Sequence, residues 1–244
     1  MATSSYLPST RHPWPCLLFV LPLLIAYEAC VLLFGGAHPE ALRNGADNWL
    51  RGGFDAIGLR YFWVPPAVLV LVFALWSYLK RGEKAGDLVG TLAGMGIESV
   101  AFALGLWGVS RALVPLLKSA GVELDVAAAG QESAAGLQHI IPYVGAGIYE
   151  EAMFRLVLFS VLLWMFRRME LTLPLAFGLA AAGSATLFAT AHHLGPQGEP
   201  YHNYPFLFRL VAGLYFAGLF QFRGFGIAVG AHACYNLMVG ISDG

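Results

Sequence analysis

The chain has 244 residues, 58% of them hydrophobic and 12% charged, with a formal net charge of −1 and a mean hydropathy of +0.65. Soluble domains usually carry about 25% charged residues, so the composition excludes an ordinary soluble protein and points to an integral membrane protein. The even mixture of signs excludes the basic surface that nucleic-acid binding requires.

Crossing a bilayer in helical form takes about 20 apolar residues, and seven runs are expected to do so: 16–34, 61–79, 88–117, 140–166, 173–192, 206–222 and 225–241. Arg11 and His12 before the first run imitate a signal peptide, but no small-residue cleavage site follows, so the run reads as a retained span. The third run contains Gly94, Gly96, Gly105 and Gly108 and is long enough to tilt or bend. The last two are short and closely spaced, which leaves six or eight spans open. Segment 121–138 reads as a polar, Ala- and Gly-rich connection. Cys16, Cys30 and Cys234 lie in or beside apolar runs without paired spacing and read as small core residues. With no repeat or low-complexity tract, residues 1–244 are expected to form one all-α polytopic transmembrane bundle.

Lys and Arg accumulate on the cytoplasmic side of membrane proteins. Lys80, Arg81 and Lys84 follow the second run, Arg167 and Arg168 the fourth, and Arg223 the sixth. Seven spans make these ends cytoplasmic together, with the N-terminus inside and the C-terminus outside a cell membrane. Arg43, Arg51 and Arg60 in the first loop count against this arrangement and are partly offset by Glu40, Asp47 and Asp55.

Ionisable groups at membrane depth are costly, face the protein interior and commonly carry function. Glu150, Glu151 and Arg155 lie inside the fourth run. On a helix Glu151 and Arg155 share a face and can pair, while Glu150 is rotated by roughly 100°. One carboxylate is thereby neutralised while the other stays available. At the end of the fifth run Phe188 and His192 share a face, so the aromatic ring can support the imidazole; His193 reads as interfacial. In the seventh run His232 and Asn236 share a face. A glutamate, two histidines and an asparagine from three helices suit water activation with stabilisation of an oxyanion. Each also has a plain structural reading, because a lone membrane His or Asn often serves only as an interhelical hydrogen bond. Glu28 and Glu98 have no local partner at helical spacing and read as pairing or cavity residues, with Arg111 and Arg209 as the cations available to them. Arg209 has the second option of supporting the catalytic region.

Three motifs in order, Glu150-Glu151-Ala-Met-Phe-Arg155, Phe188-Ala-Thr-Ala-His192 and His232-Ala-Cys-Tyr-Asn236, each in a separate apolar run, resemble the CPBP family. That family comprises the CAAX proteases and bacteriocin-processing enzymes, also called the type II CAAX prenyl endopeptidase or Abi family of membrane proteases. The resemblance covers about residues 140–241 and finds no motif in the first three runs. It implies that Glu150 is the general base for the attacking water and that His192 holds that water. It further implies that His232 and Asn236 stabilise the oxyanion, and that Glu151 and Arg155 fix the site. Glu150, His192 and His232 also suit zinc with a vacant position for water. The His-Glu-x-x-His helix that would make zinc a strong inference is absent, and the resemblance equally permits a metal-free, glutamate-dependent mechanism. The expected function is intramembrane endopeptidase action on a membrane-associated or exported peptide or protein. The alternatives are a non-catalytic immunity or scaffold protein and a proton-coupled transporter, the latter lacking an obvious inverted repeat.

Overall fold

Backbone groups facing lipid find no water to bond, so an apolar run must satisfy its N–H and C=O groups internally, and a helix is the way one segment does so. The computed structural model describes residues 6–82, 87–125, 140–195 and 198–242, with 241 and 242 by backbone alone, and among them every regular element is helical. In chain order these are α1 (Tyr6–Thr10), α2 (Pro13–Phe34), a 3-10 turn (Pro39–Leu42), α3 (Gly45–Ala56), α4 (Val64–Leu79) and α5 (Leu88–Ser119). Then follow α6 (Ile140–Glu151), a π-helical segment (Ala152–Phe159), α7 (Ser160–Arg168), α8 (Leu173–Ala191), α9 (Asn203–Arg223) and α10 (Phe225–Ser242). Lys84 and most of the connection read at 121–138 lie outside the described residues.

Among the described residues, four helices are long and apolar enough to cross a membrane: α2, α5, α8 and α9. The second and seventh expected runs form shorter apolar helices, α4 and α10. The run expected at 140–166 is helical throughout but changes hydrogen-bond register from α to π and back, so it divides into three pieces. The surface is apolar: Leu33, Leu79, Val89 and Ile97 are each at least 70% exposed. Such an outside suits lipid, since exposed apolar surface of this kind marks contact with a membrane or a partner.

The helix α10 sits among α5, α6, α9 and α2. Its approach to α6 depends on Gly147, where a Cβ would stand 2.8–3.0 Å from the backbone N, Cα and Cβ of Ala233. This contact brings the middle of α10 against the end of α6. The turn from α9 to α10 uses Gly224 at φ 98°, a left-handed conformation that glycine takes without strain. Gly224 lies against the Thr10 carbonyl, and His12 Nε2 is 3.5 Å from the Lys80 carbonyl. The starts of α2 and α10 therefore share one end of the bundle with the ends of α4 and α9. Phe177 meets Phe222 at 5.6 Å between centroids, which adds the α7–α8 connection, with Arg167 and Arg168, to that end. At the opposite end α3 packs on α4 and α6.

The intramembrane carboxylates take partners other than those expected. Glu98 is held by Arg223 through two bonds of 2.8 and 2.6 Å. Glu28 is bound by Arg43 at 3.1 Å, Arg51 at 2.8 Å and the Tyr149 hydroxyl at 2.6 Å. Arg111 stacks over Trp107, and Arg209 binds Glu199 at 2.8 and 2.7 Å, so neither serves Glu28 or Glu98. For Glu28 the cause is the first loop. Residues 43–56 fold back against the bundle, so Arg43 and Arg51 are turned inward while Arg60 stays exposed beside Asp55, and Asp47 pairs with both Arg43 (2.6 Å) and Arg51 (2.8 Å).

Candidate active site

A cavity of about 460 Å³ opens between the α3 region and the ends of α6 and α8, lined among others by Glu150, His192, Met153, Asn48, Trp49 and Glu199. Glu150 occupies the penultimate position of α6, with a side chain 12% exposed. One oxygen, Oε1, accepts a hydrogen bond from Asn44 Nδ2 at 3.2 Å; the other, Oε2, stands 3.7 Å from His232 Nε2.

Glu151 is fully buried and approaches the same imidazole from its other nitrogen. Its Oε1 accepts from His232 Nδ1 at 2.8 Å and lies 3.3 Å from Arg155 Nη1. Because an ionised carboxylate can only accept, Nδ1 carries the proton, and the ring's other nitrogen is aimed at Glu150. His232 thus sits between two carboxylates, stacked face to face on Phe216 (centroids 4.5 Å, planes 13° apart). Arg155, also fully buried, donates Nη2 to the Gly213 carbonyl at 3.4 Å and lies over the rings of Phe188 (4.4 Å) and Phe216 (5.5 Å). Arg155 Nη1 is within ion-pair range of Glu151 yet out of hydrogen-bond alignment, and Glu151 Oε2 has no bonding partner among the described residues.

The chain begins its π-helical register directly after these carboxylates. A π turn is wider than an α turn and occurs often at functional sites. Here it buries Ala152, Phe154, Arg155 and Phe159 together. Two carbonyls within it gain side-chain donors: Ser184 Oγ bonds the Phe154 carbonyl at 3.0 Å and Ser160 Oγ the Arg155 carbonyl at 3.2 Å.

His192 caps the C-terminus of α8, and the Phe188 carbonyl accepts from its Nδ1 at 2.9 Å, so the lone pair resides on Nε2. Phe188 meets the His192 ring edge-on at 4.9 Å. Glu150 and His192 both reach the cavity; His232 lies behind Glu150 and is 4% exposed. Asn236, one turn beyond His232 and half-buried, neither lines this cavity nor makes a side-chain hydrogen bond within the described residues. The structure therefore joins Glu150, Glu151, Arg155, His192 and His232 in one cluster and leaves Asn236 at its margin.

The cavity wall from α3 and the turn before it was not anticipated from the sequence. Asn44 is the N-cap of α3, its Oδ1 accepting from Asp47 N at 3.1 Å. The pattern Asn44-x-x-Asp47 is a helix-start signal that could have exposed this element. Beside it, burial lowers the tendency of the Arg43 guanidinium to stay protonated, but Asp47 and Glu28 outweigh that and raise its pKa above the ordinary value.

Among the described residues no three His, Cys, Asp or Glu side chains converge as a metal-ligand set. Nδ1 of each histidine is engaged, and His232 Nε2 faces Glu150 across 3.7 Å. Tying Nδ1 back to a carboxylate or a backbone carbonyl is also what metal-bound imidazoles do, so Glu150, His192 Nε2 and His232 Nε2 are the groups that would hold the zinc considered from the sequence.

Residues 133–238 match the family model described as type II CAAX prenyl endopeptidase Rce1-like, the family that the three motifs resemble. No curated protein and no solved structure matches the chain.

Proposed function

We propose, from the match of residues 133–238 to the type II CAAX prenyl endopeptidase Rce1-like family, that this chain is a multi-pass membrane endopeptidase using Glu150 as its general base. The observation that carries the reading is a carboxylate at the wall of a cavity inside an otherwise apolar bundle, with His192 on the same cavity and His232 Nε2 at 3.7 Å. Water held by Glu150 and His192 Nε2 attacks the scissile carbonyl carbon, and its proton passes to Glu150. The oxyanion is met by His232 with both ring nitrogens protonated, Nδ1–H held by Glu151 and Nε2–H donating, and by Asn236 once substrate extends the site toward it. The C–N bond then breaks, and Glu150 returns the proton to the leaving amine, giving a carboxylic acid and a free amine. Loss of one oxyanion donor typically costs about 10²- to 10³-fold in rate. Arg155 does not touch the reacting atoms; it holds the buried charge of Glu151.

We read seven crossings, counting α4, α10 and the divided helix from Ile140 to Arg168 with the four longer helices. Lys80, Arg167, Arg168 and Arg223 gather at one end of the bundle and the cavity lies toward the other, which supports a cytoplasmic N-terminus and a site opening away from the cytoplasm. On that reading the substrate is an exported or membrane-anchored peptide or protein. The test is mass spectrometry of membrane and secreted peptides from cells producing wild type or Glu150→Gln at matched levels. Products present only with wild type support the protease and name its substrate. Identical peptides from two folded proteins would overturn it and leave a binding or scaffold role.

A further inference from the structure

The base of the proposed reaction does not stand alone. Asn44 reaches it from a segment that lies outside the family-matched region and 106 positions away in the chain. Its side chain is used at both ends: Nδ2 donates to Glu150 Oε1 at 3.2 Å, and Oδ1 accepts from Asp47 N at 3.1 Å as the N-cap of α3. The side chain therefore cannot rotate to release Glu150 without uncapping α3. The helix itself is pinned from three sides. Asp47, fully buried, binds Arg43, Arg51 and the Tyr27 hydroxyl at 2.6, 2.8 and 2.8 Å. Arg43 and Arg51 continue to Glu28, which accepts from Tyr149, the residue preceding Glu150. A bonded path of charged and hydroxyl groups thus runs from α2 through α3 to α6 and fixes Asn44 relative to the carboxylate.

We infer that Asn44 is a positioning residue for Glu150, set by α3. This rests on the reading of Glu150 as base. By holding Oε1, Asn44 leaves Oε2 as the oxygen turned toward His232 and the attacking water. Hydrogen bonds to charged groups are the stronger kind, and a base rotated off its water loses rate without losing substrate affinity.

Two variants separate positioning from support. Asn44→Ser retains an equally good N-cap and removes the amide donor without adding charge; Asn44→Gln retains the amide donor on a longer arm and weakens the cap. The substrate is a synthetic peptide spanning the strongest Glu150-dependent cleavage found by mass spectrometry, with kcat, KM and the thermal midpoint read for each purified protein. Asn44→Ser is expected to lower kcat about 10- to 100-fold with KM within twofold and the midpoint unchanged. Asn44→Gln is expected to lower the midpoint while keeping more of kcat. Wild-type kcat in Asn44→Ser beside an inactive Glu150→Gln overturns the role of Asn44 alone. Equal falls of kcat and midpoint in both variants reduce it to a structural cap. An absence of any Glu150-dependent cleavage overturns the base reading, and this inference with it.

Discussion

Replacing Arg155 by methionine removes a guanidinium whose side chain is fully buried, 3.3 Å from a carboxylate that is itself fully buried. Glu151 then keeps its bond from His232 at 2.8 Å and loses the arginine paired with it. Breaking a buried pair from one side costs about 3–5 kcal/mol, because the remaining charge has neither water nor a counter-ion. The guanidinium also lies over Phe188 and Phe216 at 4.4 and 5.5 Å, contacts worth roughly 0.5–2 kcal/mol when desolvated. Methionine recovers part of the packing, so we expect a net loss of about 4 kcal/mol, or roughly 8–16 °C in unfolding midpoint for a chain of this size. Adding Glu151→Gln should return much of it, because the amide oxygen still accepts from His232 Nδ1 while no buried charge is stranded. The double-mutant cycle, read by thermal unfolding in one detergent, should give a coupling of about 2–3 kcal/mol. Arg155→Met costing under about 1 kcal/mol, or a double variant as unstable as the sum of the singles, would refute the claim that this pair is an electrostatic unit. Activity should stay low in the double variant even as stability returns, since a neutral amide would hold His232 without the charge that Glu151 supplies.

Further outcomes follow from the same geometry. Gly147→Ala places a methyl 2.8–3.0 Å from Ala233 and should cost about 1–3 kcal/mol by forcing α6 from α10, seen as a lower thermal midpoint with reduced activity. Ser184→Ala strips the donor from the Phe154 carbonyl and should cost about 1 kcal/mol, with faster amide exchange across residues 152–159; unchanged exchange there would remove Ser184 from the support of the π turn. Peptide cleavage should survive treatment with a strong zinc chelator, and the purified active protein should contain less than one zinc per chain by elemental analysis. Loss of the rate on chelation and its restoration by zinc would instead assign Glu150, His192 and His232 as zinc ligands.

The membrane class and helical content were legible from composition and run length because lipid leaves an apolar backbone few alternatives to a helix. Contacts four residues apart on one helix were legible for the same kind of reason. Glu151 with Arg155 and Phe188 with His192 are set by helical periodicity, and the chain places both pairs in contact. The partners of Glu28 and Glu98 were not legible, since charge alone does not say which of several arginines a fold will deliver. Arg43 and Arg51 arrive by the return of the first loop, and Arg223 from 125 positions away. The α-to-π change after Glu151 was equally hidden, because both registers accept the same apolar residues and surrounding packing with donors such as Ser184 selects between them. By itself the sequence determined a helical membrane protein with ionisable residues at depth, through solvation and periodicity, which act locally. Only the tertiary structure decided that Glu151 holds His232 and Asn44 holds Glu150, because hydrogen bonds between residues 81 and 106 positions apart exist only where packing has closed the intervening chain.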